Sequence, residues 1–218
     1  LLEKNKTSEN RAVYQKVAFY RGVELYNDSD YFGSLAMFEK GLKEPKDAII
    51  TARSAFWKAE SEYNLENFKD ALSSYKQFVD VIARNEAISA KETAEFKNVN
   101  YNIAYANFKL KEYDTAGDFF QKQIETNKAD KFRLNDSYLR LADCRFVTTK
   151  YQSALDAYIK VIESKSVDVD YAYFQKAMIA GVKSSTEKIR TLNTLTRQYP
   201  QSSLVTDVNM EIANTYMA

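Results

Sequence analysis

The chain has 218 residues and a net charge of +1, with 45% hydrophobic and 28% charged residues. That suits one folded domain or one elongated array and offers no bulk attraction to nucleic acid or an anionic membrane. Its 5 Gly and 2 Pro are too few for a strand-rich fold, while the absence of His and the single cysteine, Cys144, remove the commonest general base, an intramolecular disulfide and any multi-cysteine zinc site.

In chain order, Leu1 and Leu2 read as the tail of an earlier helix. A chain opening without methionine, signal peptide or charged leader reads as a mature or excised fragment. A pattern then begins: small residue, aromatic four on, aromatic five further, small residue three further, aromatic four further. It runs Gly22, Tyr26, Tyr31, Ser34, Phe38, then Ala59, Tyr63, Phe68, Ala71, Tyr75. The third copy is Ala104, Phe108, Tyr113, Ala116, Phe120 and the fourth Ala142, Phe146, Tyr151, Ala154, Tyr158. Spacing of four keeps each small residue and its aromatic on one helical face, so each copy predicts two helices. They are joined by mostly polar turns at 27–30, 64–67, 109–112 and 147–150. The small residues let paired helices approach, and the aromatics fill the wedge between hairpins, since one hairpin alone cannot bury its apolar face.

Tyr171–Gly181 and Thr186–Gln198 predict a fifth, degenerate hairpin ending at Tyr199-Pro200. Ser203–Tyr216 predicts the first helix of a sixth, with Leu204, Val208, Ile212 and Tyr216 on one stripe, as if cut from a longer array. The expectation is at least ten helices in antiparallel pairs, without a sheet. Offsets between equivalent small residues are 37 (Ser34 to Ala71), 45 (Ala71 to Ala116) and 38 (Ala116 to Ala154). The longest excess falls in Ala83–Glu95, which is polar and Ala-rich and predicts lengthened flanking helices.

This pattern resembles the tetratricopeptide repeat, whose usual period is about 34 residues. The resemblance covers nearly the whole chain and implies an all-α, right-handed superhelix (α-solenoid) of antiparallel hairpins. Its repeats would span about 11–44, 48–83, 95–127, 133–165 and 170–199, with a half repeat at 202–217. The form is similar to that of bacterial envelope members, including the barrel-assembly lipoprotein and periplasmic division coordinators. The setting that the resemblance implies is therefore periplasmic or outer-membrane-associated, with the cytoplasm as the alternative.

No residues assemble into a catalytic, cofactor or metal site. Cys144 lacks a histidine base and reads as a small buried hydrophobe. The acidic runs Glu60-Ser61-Glu62 and Asp168-Val169-Asp170 read as solvated faces and helix starts rather than a glycosidase pair. The five glycines are scattered singly and form no phosphate loop. Asn5-Lys6-Thr7, Asn27-Asp28-Ser29 and Asn135-Asp136-Ser137 match the glycosylation triplet and read as turns or caps.

In the resembled family the first helix of each hairpin lines the concave surface, and carrying those positions over marks four stripes. They are Lys16, Phe19, Val23, Asn27; Arg53, Phe56, Glu60, Asn64; Asn98, Tyr101, Tyr105, Lys109; and Asp136, Leu139, Asp143, Val147. Phe19, Phe56, Tyr101 and Leu139 stand where the family's carboxylate clamp begins with lysine, so chaperone-tail binding is not implied. The partner-binding candidates are Arg53, Phe56, Glu60, Asn64, Asn98, Tyr101, Tyr105, Lys109, Asp136 and Asp143. Trp57, outside the repeat slots, is open to the same role. The mixed aromatic, amide and charged lining suits an extended peptide or partner helix, with the convex face as a second surface. The implied function is a protein-interaction scaffold of an envelope complex, without nucleic acid, membrane insertion by this segment, or enzymatic activity. The rivals are a cytoplasmic regulator of a signalling protein and, remotely, a helical toroid enzyme.

Overall fold

The computed structural model describes residues 7–43, 45–85 and 93–217. Leu1 and Leu2 lie outside them, as does most of the segment expected to lengthen helices near 83–95. Among the described residues there are eleven helices and no strand. They are α1 (Ser8–Asn27), α2 (Tyr31–Lys43), α3 (Ala48–Asn64), α4 (Phe68–Ala83), α5 (Ala94–Lys109), α6 (Tyr113–Thr126), α7 (Lys131–Val147), α8 (Tyr151–Ser164), α9 (Val169–Gly181), α10 (Ser185–Gln198) and α11 (Val205–Met217). Two compact units divide them between Lys111 and Glu112: α1–α5 in the first, α6–α11 in the second.

Local chemistry sets the helix ends. Thr7, Asp47, Asp130 and Ser184 stand before α1, α3, α7 and α10, and each side chain accepts a backbone N–H of the first turn. The turns after α1, α3 and α7 share one closure. A residue with positive φ (Ser29, Glu66, Thr149) donates three residues back, to Tyr26, Tyr63 and Phe146, and the next donates five back, to Leu25, Glu62 and Arg145. This pair of bonds satisfies carbonyls that a helix end otherwise leaves open. Lys111, after α5, has the same positive φ and donates to Phe108. No glycine occupies any of these positions, although glycine alone adopts them without strain.

In the first unit each helix packs on its neighbours, α1 on α2, α2 on α3, α3 on α4 and α4 on α5, and first helices also touch each other, α1 to α3 and α3 to α5. Phe38, Tyr75 and Phe78 are fully buried, and Ala59 and Ala71 have no exposed surface where helices meet. Buried Gln15 fixes the link before α3: its carbonyl accepts from Lys46 and Asp47 backbone N–H groups, and its amide donates to Thr51 at 2.8 Å. Gly22 shows why its slot is small, since a Cβ there would lie 2.6 Å from the Phe38 ring. Phe38 has no exposed surface and cannot swing away. Gly22→Ala gains roughly 1 kcal/mol of helix propensity but overpacks the hairpin by about 1–3 kcal/mol. Its expected result is a lower melting temperature in calorimetry.

In the second unit the same succession runs from α6 through α11. Ala116, Ala154, Phe120 and Tyr158 are fully buried. Val208 of α11 joins Ala177, Leu192 and Leu195, with Leu204 and Ile212 packed against them. Tyr216, placed on the same stripe by sequence, is instead 72% exposed.

Several expectations are corrected. Asn135-Asp136-Ser137 lies inside α7 with Asn135 and Ser137 buried, so it is neither turn nor cap. Glu62 is not solvated: it is buried, ion-paired to Lys58 and accepts from the Ser74 hydroxyl at 2.6 Å.

Candidate functional site

The four stripes on first helices share a register, and burial sorts their members. The second residue of three stripes, Phe19, Phe56 and Leu139, is 1%, 5% and 1% exposed. Phe56 packs edge-to-face on Tyr75 and Phe78 of α4 at 5.8 and 5.3 Å. It belongs to the core and is withdrawn from the binding candidates: its helical position points between α3 and α4, where apolar burial outweighs exposure. Tyr101, in the same slot of α5, stays half-buried with Tyr105, the two rings 4.9 Å apart, while Asn98 is half-buried and Lys109 exposed.

On α3, half-buried Arg53 lies over the Phe19 ring at 5.0 Å and donates to Glu95 of α5 at 2.9 Å. The Trp57 indole N–H donates to the same carboxylate at 3.3 Å. Burial alone would raise the Glu95 pKa, but bonds from its own backbone N–H and from Arg53 outweigh that and hold it below the usual range. Glu60 accepts from the Tyr75 hydroxyl and the Asn102 amide, tying α3 to both α4 and α5. It is therefore an inter-helix anchor rather than part of the solvated face expected of Glu60-Ser61-Glu62. Exposed Asn64 donates to Tyr26 at 3.0 Å. Together α3 and α5 present aromatic, amide and cationic groups over a braced base.

Asp136 and Asp143 belong to the second unit. Asp136 is half-buried beside Arg140, their closest atoms 3.5 Å apart. Asp143 is buried; it accepts from the Tyr158 hydroxyl at 2.7 Å, the Tyr171 hydroxyl at 3.1 Å and Arg140 at 2.9 Å. Burial raises its pKa in spite of these donors. It too is withdrawn as a contact residue, because its acceptor positions are spent on α8 and α9. Sequence counting missed this device, although a signal exists. Glu60 with Tyr75 and Asp143 with Tyr158 are each 15 residues apart, and the copies carrying Phe38 and Phe120 instead have Val23 and Tyr105 at the carboxylate position.

Cys144 is buried, and desolvation followed by the Asp143 charge pushes its thiol up to about 12, so the reactive thiolate is not populated at neutral pH. Among the described residues no group of three or more Cys, Asp or Glu is placed to hold a metal ion, and no helix is long and apolar enough to cross a membrane.

No family model matches the sequence, and no curated protein matches it. Solved structures do. YrrB, described as a TPR protein with an unusual peptide-binding site, superposes with a TM-score of 0.68 at 15% identity, over 87% of this chain and 88% of its own. A tetratricopeptide repeat protein from Parabacteroides merdae gives 0.68 at 14% identity, over 94% and 73%. MamA from Desulfovibrio magneticus gives 0.66 at 10%, over 87% and 98%. These likenesses, with the all-helical hairpins, show an all-α tetratricopeptide-repeat fold.

Proposed function

We propose that this chain of tetratricopeptide-repeat fold is a protein-interaction scaffold, which binds a peptide or helix of a partner on the first-helix surface of α3 and α5. The observation that supports it most is the half-buried Tyr101–Tyr105 pair on α5, a helix tied to α3 by Glu95 with Arg53 and Trp57 and by Asn102 with Glu60. Rigid aromatic anchors at low entropic cost are what such surfaces use. The peptide-binding site named for YrrB adds to this by fold likeness alone. No catalytic role is assigned.

A bacterial cell-envelope setting is part of the proposal and rests on the resemblance of the repeat form; fractionation of the native cells tests it. For the surface, the partner is recovered by pull-down from the native organism and purified. Tyr105→Ala is expected to weaken it by about 2 kcal/mol, roughly 30-fold. Lys122→Glu, an exposed change on α6, is expected to leave it unchanged. The reverse pattern would move binding to the second-helix side.

A further inference from the structure

A groove opens in the second unit between α8, α9 and α10, with a volume of about 330 Å³. Leu155, Ile179, Ala180 and Val182 supply apolar lining, and Val182 is 59% exposed. One hairpin earlier α6 lies close against α7. Gly117 stands one residue after Ala116, as Leu155 stands one after Ala154. A Cβ at Gly117 would touch Cys144 and Arg145 of α7, both at 3.3 Å. The Arg145 side chain is only 13% exposed there, 2.7 Å from Asp118 and 3.8 Å from Asp114. Beside Leu155 the groove is instead open, with Ile179 and Ala180 of α9 and the exposed Val182 and Lys183 that follow it on the facing side.

The charges around the opening are unequal. Lys176, Lys183 and Arg190 line it against a single acid, Glu187, which is already bonded to Arg190 at 2.6 Å. Lys176 lies 6.0 Å over the Tyr173 ring, and neither it nor Lys183 has an ion-pair partner among the described residues. An apolar slot of this size, with surplus cations on its rim, selects a side chain that is large and uncharged, flanked by carboxylates.

We propose that the α8–α9–α10 groove is a second docking site, for an acidic, apolar peptide segment of a partner protein, which seats a large aliphatic or aromatic side chain over Leu155, Ile179 and Ala180 and places carboxylates against Lys176 and Lys183. This site does not depend on the α3–α5 surface binding anything.

The test selects peptides from a random display library on the full chain, then titrates the dominant peptide, fluorescein-labelled, by anisotropy. Selected peptides are expected to pair a large apolar residue with Asp or Glu. Ala180→Arg, which fills the open slot, and the doubly changed Lys176→Glu, Lys183→Glu chain should each weaken binding about tenfold or more. Added salt should weaken it as well, and Tyr105→Ala should not. The lysine changes sit at the groove rim, so they keep the test valid if Ala180→Arg lowers the melting temperature. No enrichment, selection of neutral or basic peptides, or binding that survives both groove variants overturns the site. Binding lost with Tyr105→Ala but kept in the groove variants also overturns it, and supports the α3–α5 surface instead. Self-association of the free chain that Ala180→Arg abolishes would give the groove to a second copy and overturn the partner assignment.

Discussion

Phe78→Ala is expected to destabilise the chain by about 3–5 kcal/mol, read as a lower urea midpoint. Phe78 has no exposed surface and meets Phe56 of α3 and Phe96 of α5 edge-to-face, both at 5.3 Å. Deleting its ring opens a cavity where three helices converge. It also removes two ring contacts worth about 0.5–1.5 kcal/mol each beyond area burial. Repeat stability is largely a sum of nearest-neighbour interfaces. The loss should therefore appear first in hydrogen exchange of α3, α4 and α5. Slowly exchanging amides there at wild-type rates would sink the expectation.

Asp143→Ala is expected to cost about 3 kcal/mol, because it leaves the buried Tyr158 hydroxyl, and that of Tyr171, without an acceptor and strips Arg140 of its nearer carboxylate. Asp143→Asn keeps an oxygen for the two phenols and removes a desolvated charge, but it too takes the carboxylate from Arg140, so it should cost less than Asp143→Ala, about 1–2 kcal/mol. The pH dependence separates the two effects. The folded-state pKa of Asp143 is raised, so the folded chain holds this proton more tightly than the unfolded chain. Its ionisation therefore costs stability as pH rises from the ordinary aspartate range through the raised value, and protonation returns that stability as pH falls. Arg140 and Asp136 face the same pocket, along with Tyr158 and Tyr171. The Asp143→Asn chain should lack this one component of the pH profile. Identical acid-limb profiles for the two chains would refute the assignment.

The hairpins were legible because their cause is local and periodic. A small residue at Ala59 or Ala142 and an aromatic four residues on can satisfy burial only by facing another helix, whatever the rest of the chain does. The candidate surface was legible only in part. The stripe rule places Phe56 and Tyr101 in one class, and it cannot tell that the former turns into the core while the latter stays half-buried. That depends on whether Tyr75 and Phe78 lie opposite, a contact set by the neighbouring helix. Glu60 and Asp143 read as partner-binding residues for a similar reason. Their partners Asn102 and Tyr171 come from the next hairpin, 42 and 28 residues away, beyond any single-helix period. The α8–α9–α10 groove was invisible as well, because its lining comes from three successive helices, from Tyr151 to Thr191, rather than from one periodic face.

The turns closed at Ser29, Glu66 and Thr149 have a consequence for how such a chain can be rebuilt. Each is pinned by a matched pair of backbone bonds on either side of one left-handed residue, so an added or deleted residue there would break both. The left-handed positions, Lys111 included, recur at 37, 45 and 38 residues, the same intervals as the small residues. All variation in length thus lies between one closed turn and the next, in the helices and in the joints that connect one hairpin to the following one. Those joints, such as the link from α2 to α3 and the link from α6 to α7, are the natural splice points for lineage shuffling or laboratory grafting. A hairpin exchanged between them would arrive with its own fold register intact.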